Sequence, residues 1–232
     1  MPQLKSGIFF QKKKEKHCFH SPFTISKATL TPINTLYVHF CVMQTDRLIE
    51  LLSALSCLLS IWLNTRRKTA GWPIGIISVL LAMWVYFMAG LLAECGLQIF
   101  FFASGLYGWW NWAGAENQLE KTVPVSRLSI TELLLGLAIA LAGSALIWFF
   151  LKDLPAASKP IPDSLITGFS ILAQVWLARR RLENWLFWIG INLASVGLYL
   201  QRELWFFAAL YAALFVLAFL GYRDWKKSMS EV

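Results

Sequence analysis

From residue 48 onward the apolar residues of this chain fall into long runs separated by short polar breaks. Seven runs are predicted as helices, at roughly 48–64, 72–88, 91–112, 130–151, 164–178, 185–201 and 204–222. A helix needs about 20 apolar residues to cross a bilayer, and several runs sit near the lower limit. Snorkelling arginines and interfacial tryptophans make up such a shortfall. Trp72, Trp109, Trp110, Trp112 and Trp225 stand at the edges where such anchors belong. The pattern predicts an all-α integral membrane protein, and membrane lipid is its first partner.

Composition agrees with the pattern. The chain is 57% hydrophobic and 15% charged, against about 25% charged in a soluble domain. The net charge of +8 does not point to nucleic acid, because the basic residues cluster at the ends of apolar runs, as topology signals do. Arg66, Arg67, Lys68, Lys121, Arg127, Arg179, Arg180, Arg181, Arg223, Lys226 and Lys227 fall on one side of a seven-span chain. Only Lys152, Lys159 and Arg202 fall in loops on the other. The first side is expected to be cytoplasmic, with the C-terminus on that side. Cys18, Cys41, Cys57 and Cys95 show no metal-type spacing, and no metal or cofactor is expected.

Met1–Val42 differ from the rest. They hold six lysines, all three histidines and only short apolar runs. An outside N-terminus would drag those lysines across the membrane. Either Met43 is the natural start, or a weak eighth helix around Leu30–Val42 keeps the extreme terminus inside. The expected segments are an extension over 1–42, a first three-helix repeat over 43–112, a linker with a connecting helix over 113–152, a second repeat over 153–225 and a tail over 226–232.

The repeats show in the sequence. Shifted by 113 positions, residues 66–112 align without gaps on residues 179–225, with eleven identities. Arg67/Arg180, Trp72/Trp185, Tyr86/Tyr199, Gly108/Gly221 and Trp112/Trp225 are among them. Three helices per copy is an odd number. The extra span at 130–151 gives both copies the same orientation, a parallel 3+1+3 plan with a pseudo-twofold axis along the membrane normal. Transporters place their substrate between such repeats, near the midplane.

Chemistry concentrates in the second copy. In "RRRLENWLFWIGIN", Trp185, Trp188, Asn192, Ser195 and Tyr199 share one helical face. The first copy offers Trp72, Gly75, Val79, Ala82 and Tyr86. Asn192 and Gln98 each lie about 10 Å into their spans, where an amide needs a partner that hydrocarbon cannot supply. Each serves either a ligand or a neighbouring helix. Trp188 is the better ring-stacking candidate. Trp185 is equally an edge anchor, Asn184 equally a helix cap, and Tyr211 is the counterpart of Gln98. The arginine triplets read as topology anchors. Gly105, Gly108, Gly136, Ala140 and Gly143 are either sliding surfaces or static packing sites.

"NWLFWIGIN" (Asn184–Asn192), "GWPIGIISVLLA" (Gly71–Ala82) and "LQIFFFASGLYGWWNW" (Leu97–Trp112) resemble the PnuC family of bacterial vitamin transporters, and the likeness runs from Met43 to Trp225. The resemblance implies a fold akin to the SWEET sugar transporters, with nicotinamide riboside, thiamine or riboflavin as substrate. It also implies facilitated diffusion, with the import trapped by intracellular phosphorylation. Ligand contacts carry over to Trp185, Trp188 and Asn192, with Gln98 contributing; the reading of the residues themselves adds Tyr199, Tyr211 and Asn184 to the candidate site. Independently, the chain has no P-loop and no histidine after residue 42. Glu94 and Glu132 stand near span ends, so an ionisable relay at depth is not expected. An intramembrane enzyme lacks its nucleophile–base pair, and a non-transporting assembly protein is the remaining rival. Oligomeric state stays open, a homo-oligomer included.

Overall fold

The computed structural model describes residues 32–88, 92–119, 124–153 and 160–230. Two compact units divide the chain, Met1–Thr45 and Asp46–Val232; everything below concerns the second unless stated. Among the described residues there are seven helices: α1 (Pro32–Thr65), α2 (Gly71–Met88), α3 (Leu92–Leu119), α4 (Ile130–Leu151), α5 (Pro160–Ala178), α6 (Asn184–Gln201) and α7 (Trp205–Ser230). Five contain stretches long and apolar enough to cross a membrane, in α1, α2, α4, α5 and α7. The chain is an all-helical, multi-pass membrane protein. The separate helix expected around Leu30–Val42 is, from Pro32 on, part of α1. Residues 1–31 and the Glu94 side chain lie outside the described residues, so the question of the start lies there too.

The helix ends follow local chemistry. Pro73 and Pro162 sit in first turns, where a missing N–H costs nothing. Ser129 and Glu132 form a capping box at the start of α4, each side chain bonding the other's backbone N–H. Helices α1, α5 and α6 end in left-handed residues, Arg67, Arg180 and Glu203, with φ of 57°, 62° and 59°. Each is the turning point of a Schellman motif. Lys68 N–H bonds Leu63 O, Arg181 N–H bonds Trp176 O, and Leu204 N–H bonds Tyr199 O, all at 2.9–3.0 Å.

The first two of these turns are copies. Five backbone bonds link Arg66 to Trp62, Arg67 to Asn64, Lys68 to Leu63, Gly71 to Lys68 and Trp72 to Thr69. The same five recur, 113 residues on, from Arg179 to Val175 through Trp185 to Leu182. The duplication read from the sequence is therefore present in the backbone.

Packing joins α2 to α3, α4 to α5, α5 to α6, α6 to α7 and α3 to α5. Ser53 and Ser78 staple α1 to α2, each hydroxyl donating to the other's carbonyl at 3.0 and 2.8 Å. Outward faces stay apolar, with Leu193, Ile139 and Phe219 more than half exposed, as a lipid solvent demands.

Candidate functional site

Four indoles organise the end of the molecule that carries the arginine turns. Trp72 meets Trp112 edge to face at 5.4 Å and 79°. Their repeat partners Trp185 and Trp225 do the same at 5.4 Å and 87°. Trp112 and Trp225 then touch each other at 5.8 Å. Gly108 and Gly221 make room for the rings. A Cβ on Gly108 would lie 2.4 Å from Trp72, and one on Gly221 would lie 2.7 Å from Trp185.

The copies also exchange hydrogen bonds. Trp112 Nε1 donates to Ala178 O at the end of α5, 3.2 Å away, and Asn111 Nδ2 joins it at 2.7 Å. Reciprocally, Trp225 Nε1 donates to Asn64 O near the end of α1, at 3.1 Å. Helix-end carbonyls have no intrahelical donor, so each copy's last tryptophan completes the other copy's first helix. This corrects the edge-anchor reading of Trp72, Trp112 and Trp225. All three are buried: the indoles of Trp112 and Trp225 are turned inward to carbonyls of the other copy, and Trp72 is packed edge to face on Trp112. Trp109 and Trp110 do face outward.

The candidate site residues divide between this cluster and the stretch beyond it. Trp185 is sealed inside the cluster, with Nε1 unpartnered. Asn184 is fully buried and braces its turn, Nδ2 donating to Arg181 O at 2.5 Å. Its counterpart is Gly71 because Asn64 already fills that space, the amide lying where a Cβ on Gly71 would go. Trp188 is half-buried and packs against the cluster. One turn further, Asn192 and Ser195 are 3% and 1% exposed, and Asn192 Oδ1 and Ser195 Oγ have no protein partner. At the far end Tyr199 stacks on Tyr211 (5.1 Å, 27°) and on Phe207 (5.4 Å, 23°). Tyr211 hydrogen-bonds Tyr199, and Tyr86 and Cys57 lie within electrostatic reach of it. Gln98 is half-buried on α3.

The predicted face of α6 thus turns inward while Leu186, Gly190, Leu193 and Ala194 turn outward. It makes a strip with indole at one end, an amide and a hydroxyl in the middle and stacked phenols at the other. Two cavities lie elsewhere. One of about 360 Å³ is an apolar cleft on the α5–α6 surface, beside Phe169, Phe187 and Gly190. The second, of about 670 Å³, is basic and lies beside α7. Among the described residues no His, Cys, Asp and Glu come together as a metal site.

A family described as "Nicotinamide mononucleotide transporter" matches residues 47–227. The chain belongs to this family of membrane transporters. It is 28% identical over 207 residues to the nicotinamide riboside transporter PnuC of Escherichia coli (strain K12), covering 79% of this chain and 87% of that protein. It is also 28% identical over 170 residues to the riboflavin/roseoflavin transporter RibM of Streptomyces davaonensis, covering 72% and 79%. The fold is that of a crystal structure of the vitamin B3 transporter PnuC, with a TM-score of 0.64 and 22% identity over 86% of this chain and 92% of that one. The resemblance to the PnuC family that rested on "NWLFWIGIN" and its companions stands on these matches.

Sequence reasoning passed over residues that the PnuC fold brings together. Ser195 shares the buried face of α6 one turn beyond Asn192, where helical period alone puts its hydroxyl. The linker also has unexpected work. Ser126 pairs with the second arginine turn, its N–H bonding Arg180 O at 3.0 Å and its carbonyl accepting from Leu182 at 2.9 Å. Arg181 spans to Ser126 Oγ, Arg127 O and Glu132, the last at 2.6 Å. Glu183 accepts from Leu128 N–H at 2.9 Å. The first turn has Lys68 and Ala70 at the matching positions. The second triplet docks α4 through Arg181 and Glu132.

Proposed function

We propose that the chain imports nicotinamide riboside by facilitated diffusion through alternating access, and that intracellular phosphorylation then traps the product. The observation that carries this reading is the inward face of α6. Asn192 Oδ1 and Ser195 Oγ are buried without protein partners, and a buried polar group without one costs about 1–3 kcal/mol. A ribosylated heterocycle brings hydroxyl and amide groups that would satisfy both. Trp188 and the Tyr199–Tyr211 stack would take its flat parts, with a cation–π gain of roughly 0.5–2 kcal/mol for a cationic ring. Trp185 and Asn184 would close the chamber at the arginine end, and Gln98 would face it from the first copy.

The architecture proposed is the parallel 3+1+3, SWEET-like plan. The repeats span 43–112 and 153–225, the linker 113–152 and the tail 226–232. The recurring turns and the reciprocal tryptophan bonds support a pseudo-twofold axis between the copies. The basic end is proposed to be cytoplasmic in the inner membrane of a bacterium, because lysine and arginine are retained on that side. A second reading, transport of another flat-ring vitamin on the same fold (riboflavin or thiamine), has its riboflavin arm favoured by the equal identity to RibM.

Purified protein in liposomes tests these readings by counterflow of labelled riboside, thiamine and riboflavin, without ATP or ion gradients. Riboside exchange is expected, and Asn192→Ala or Trp188→Ala weakens substrate binding roughly tenfold or more while the protein stays folded. Exchange of riboflavin alone selects the second reading. No exchange of any of the three overturns transport, and unchanged affinity in both variants removes the site.

A further inference from the structure

We propose that the basic cleft beside α7 binds the phosphate headgroup of an anionic phospholipid. The cleft encloses about 670 Å³ and is lined by Arg127, Phe219, Tyr222, Arg223, Lys226 and Lys227 among others. Four of these side chains are cations, and they come from two elements. Arg127 belongs to the segment before α4, which Ser126 pins to the second arginine turn. The rest share the outward face of α7, opposite buried Ala218, Gly221 and Trp225. Asp224 lies off the lining and is shared between Arg66 at 3.9 Å and Arg223 at 3.4 Å. Among the described residues that line the cleft, the charged ones are all basic. Lys226 Nζ lies 5.9 Å from the Tyr222 ring, which holds the ammonium near the cleft.

The first copy is an internal control. Shifting back by 113 puts Leu106, Trp109 and Trp110 where the second copy has Phe219, Tyr222 and Arg223. Trp110 is 75% exposed, so a neutral aromatic serves at this level of the helix. Membrane positioning alone does not require the cations of α7. A lipid is favoured over a soluble phosphate because Phe219 and Tyr222 line the cleft beside the cations and Val216, exposed one turn before Phe219 on α7, extends an apolar surface. That surface suits an acyl chain below a headgroup, and basic pockets at helix ends are suited to anionic lipid.

Native mass spectrometry of the full chain, purified with a mixture of phosphatidylglycerol and phosphatidylcholine, tests the site. Phosphatidylglycerol is expected to be retained selectively. The double variant Arg223→Gln/Lys226→Gln should lower that retention roughly tenfold or more, whereas Lys152→Gln, at the opposite end of the helices, should not. Equal retention of both lipids, or retention untouched by the double variant, overturns the proposal. If millimolar inorganic phosphate raises the melting temperature in phosphatidylcholine as much as phosphatidylglycerol does, the cleft is a soluble-anion site and the lipid assignment fails. Melting in neutral detergent reports folding of the variants, and Arg127→Gln, on the other wall, replaces the double variant should that misfold. Vitamin counterflow is a separate readout, so failure here leaves the transport reading standing and the reverse also holds.

Discussion

Gly221→Ala is the sharpest probe of the indole cluster. The added Cβ would lie 2.7 Å from Trp185 Cδ2 and Cε2 and 2.8 Å from Cε3. Carbon pairs prefer about 3.5–4.0 Å, so the ring must retreat by about an ångström. It has nowhere to go. Trp185 is 1% exposed and meets Trp225 edge to face, and Trp225 is held by its bond to Asn64 O. Overpacking of this kind costs roughly 1–3 kcal/mol, and a strained or lost indole bond adds about 1 kcal/mol. The total is roughly 2–4 kcal/mol. At about 2–4 °C per kcal/mol for a chain of this size, the melting temperature in detergent should fall by roughly 4–16 °C. Gly190→Ala is the matched control on the helix that carries Trp185. A Cβ there meets nothing within 4 Å, and alanine is the better helix former by about 1 kcal/mol, so melting should hold or rise. If the two variants melt together, the glycine does not exist to seat the ring, and the interlocked cluster is wrong.

Two further outcomes follow from the turns. Arg67→Gly should raise stability by about 1 kcal/mol, since a left-handed non-glycine residue costs roughly 1–2 kcal/mol; a lower melting temperature would show that the arginine side chain outweighs its strained backbone. A double-mutant cycle between Arg181→Met and Glu132→Gln should give a coupling below about 1 kcal/mol, because both side chains are partly exposed, at 25% and 38%. A coupling of several kcal/mol would mean that α4 is held by a desolvated ion pair.

Much of the architecture was legible because the membrane imposes it. Hydrocarbon accepts only long apolar helices, so the runs predicted at 72–88 and 130–151 reappear as the span-length helices α2 and α4 with ends shifted by a residue at most. The duplication was legible because its turns need the same residues at the same spacing, and both Schellman turns duly recur. The inward face of α6 was legible from helical period alone.

What the sequence could not decide is which partner each polar or aromatic group would choose. Trp112 and Trp225 look like edge anchors until the fold sets each beside a helix-end carbonyl of the other copy. Arg181 looks like a topology charge until the linker arrives to bond it. These contacts join residues that chain order keeps far apart, and no local period encodes them. The sequence by itself determined the helices, the recurring arginine turns and the face of α6 that turns inward, because lipid and helix geometry act within single elements. Only the tertiary structure decided that Trp185 is sealed in the indole cluster while Asn192 Oδ1 and Ser195 Oγ find no partner among the described residues, because that depends on how whole helices meet.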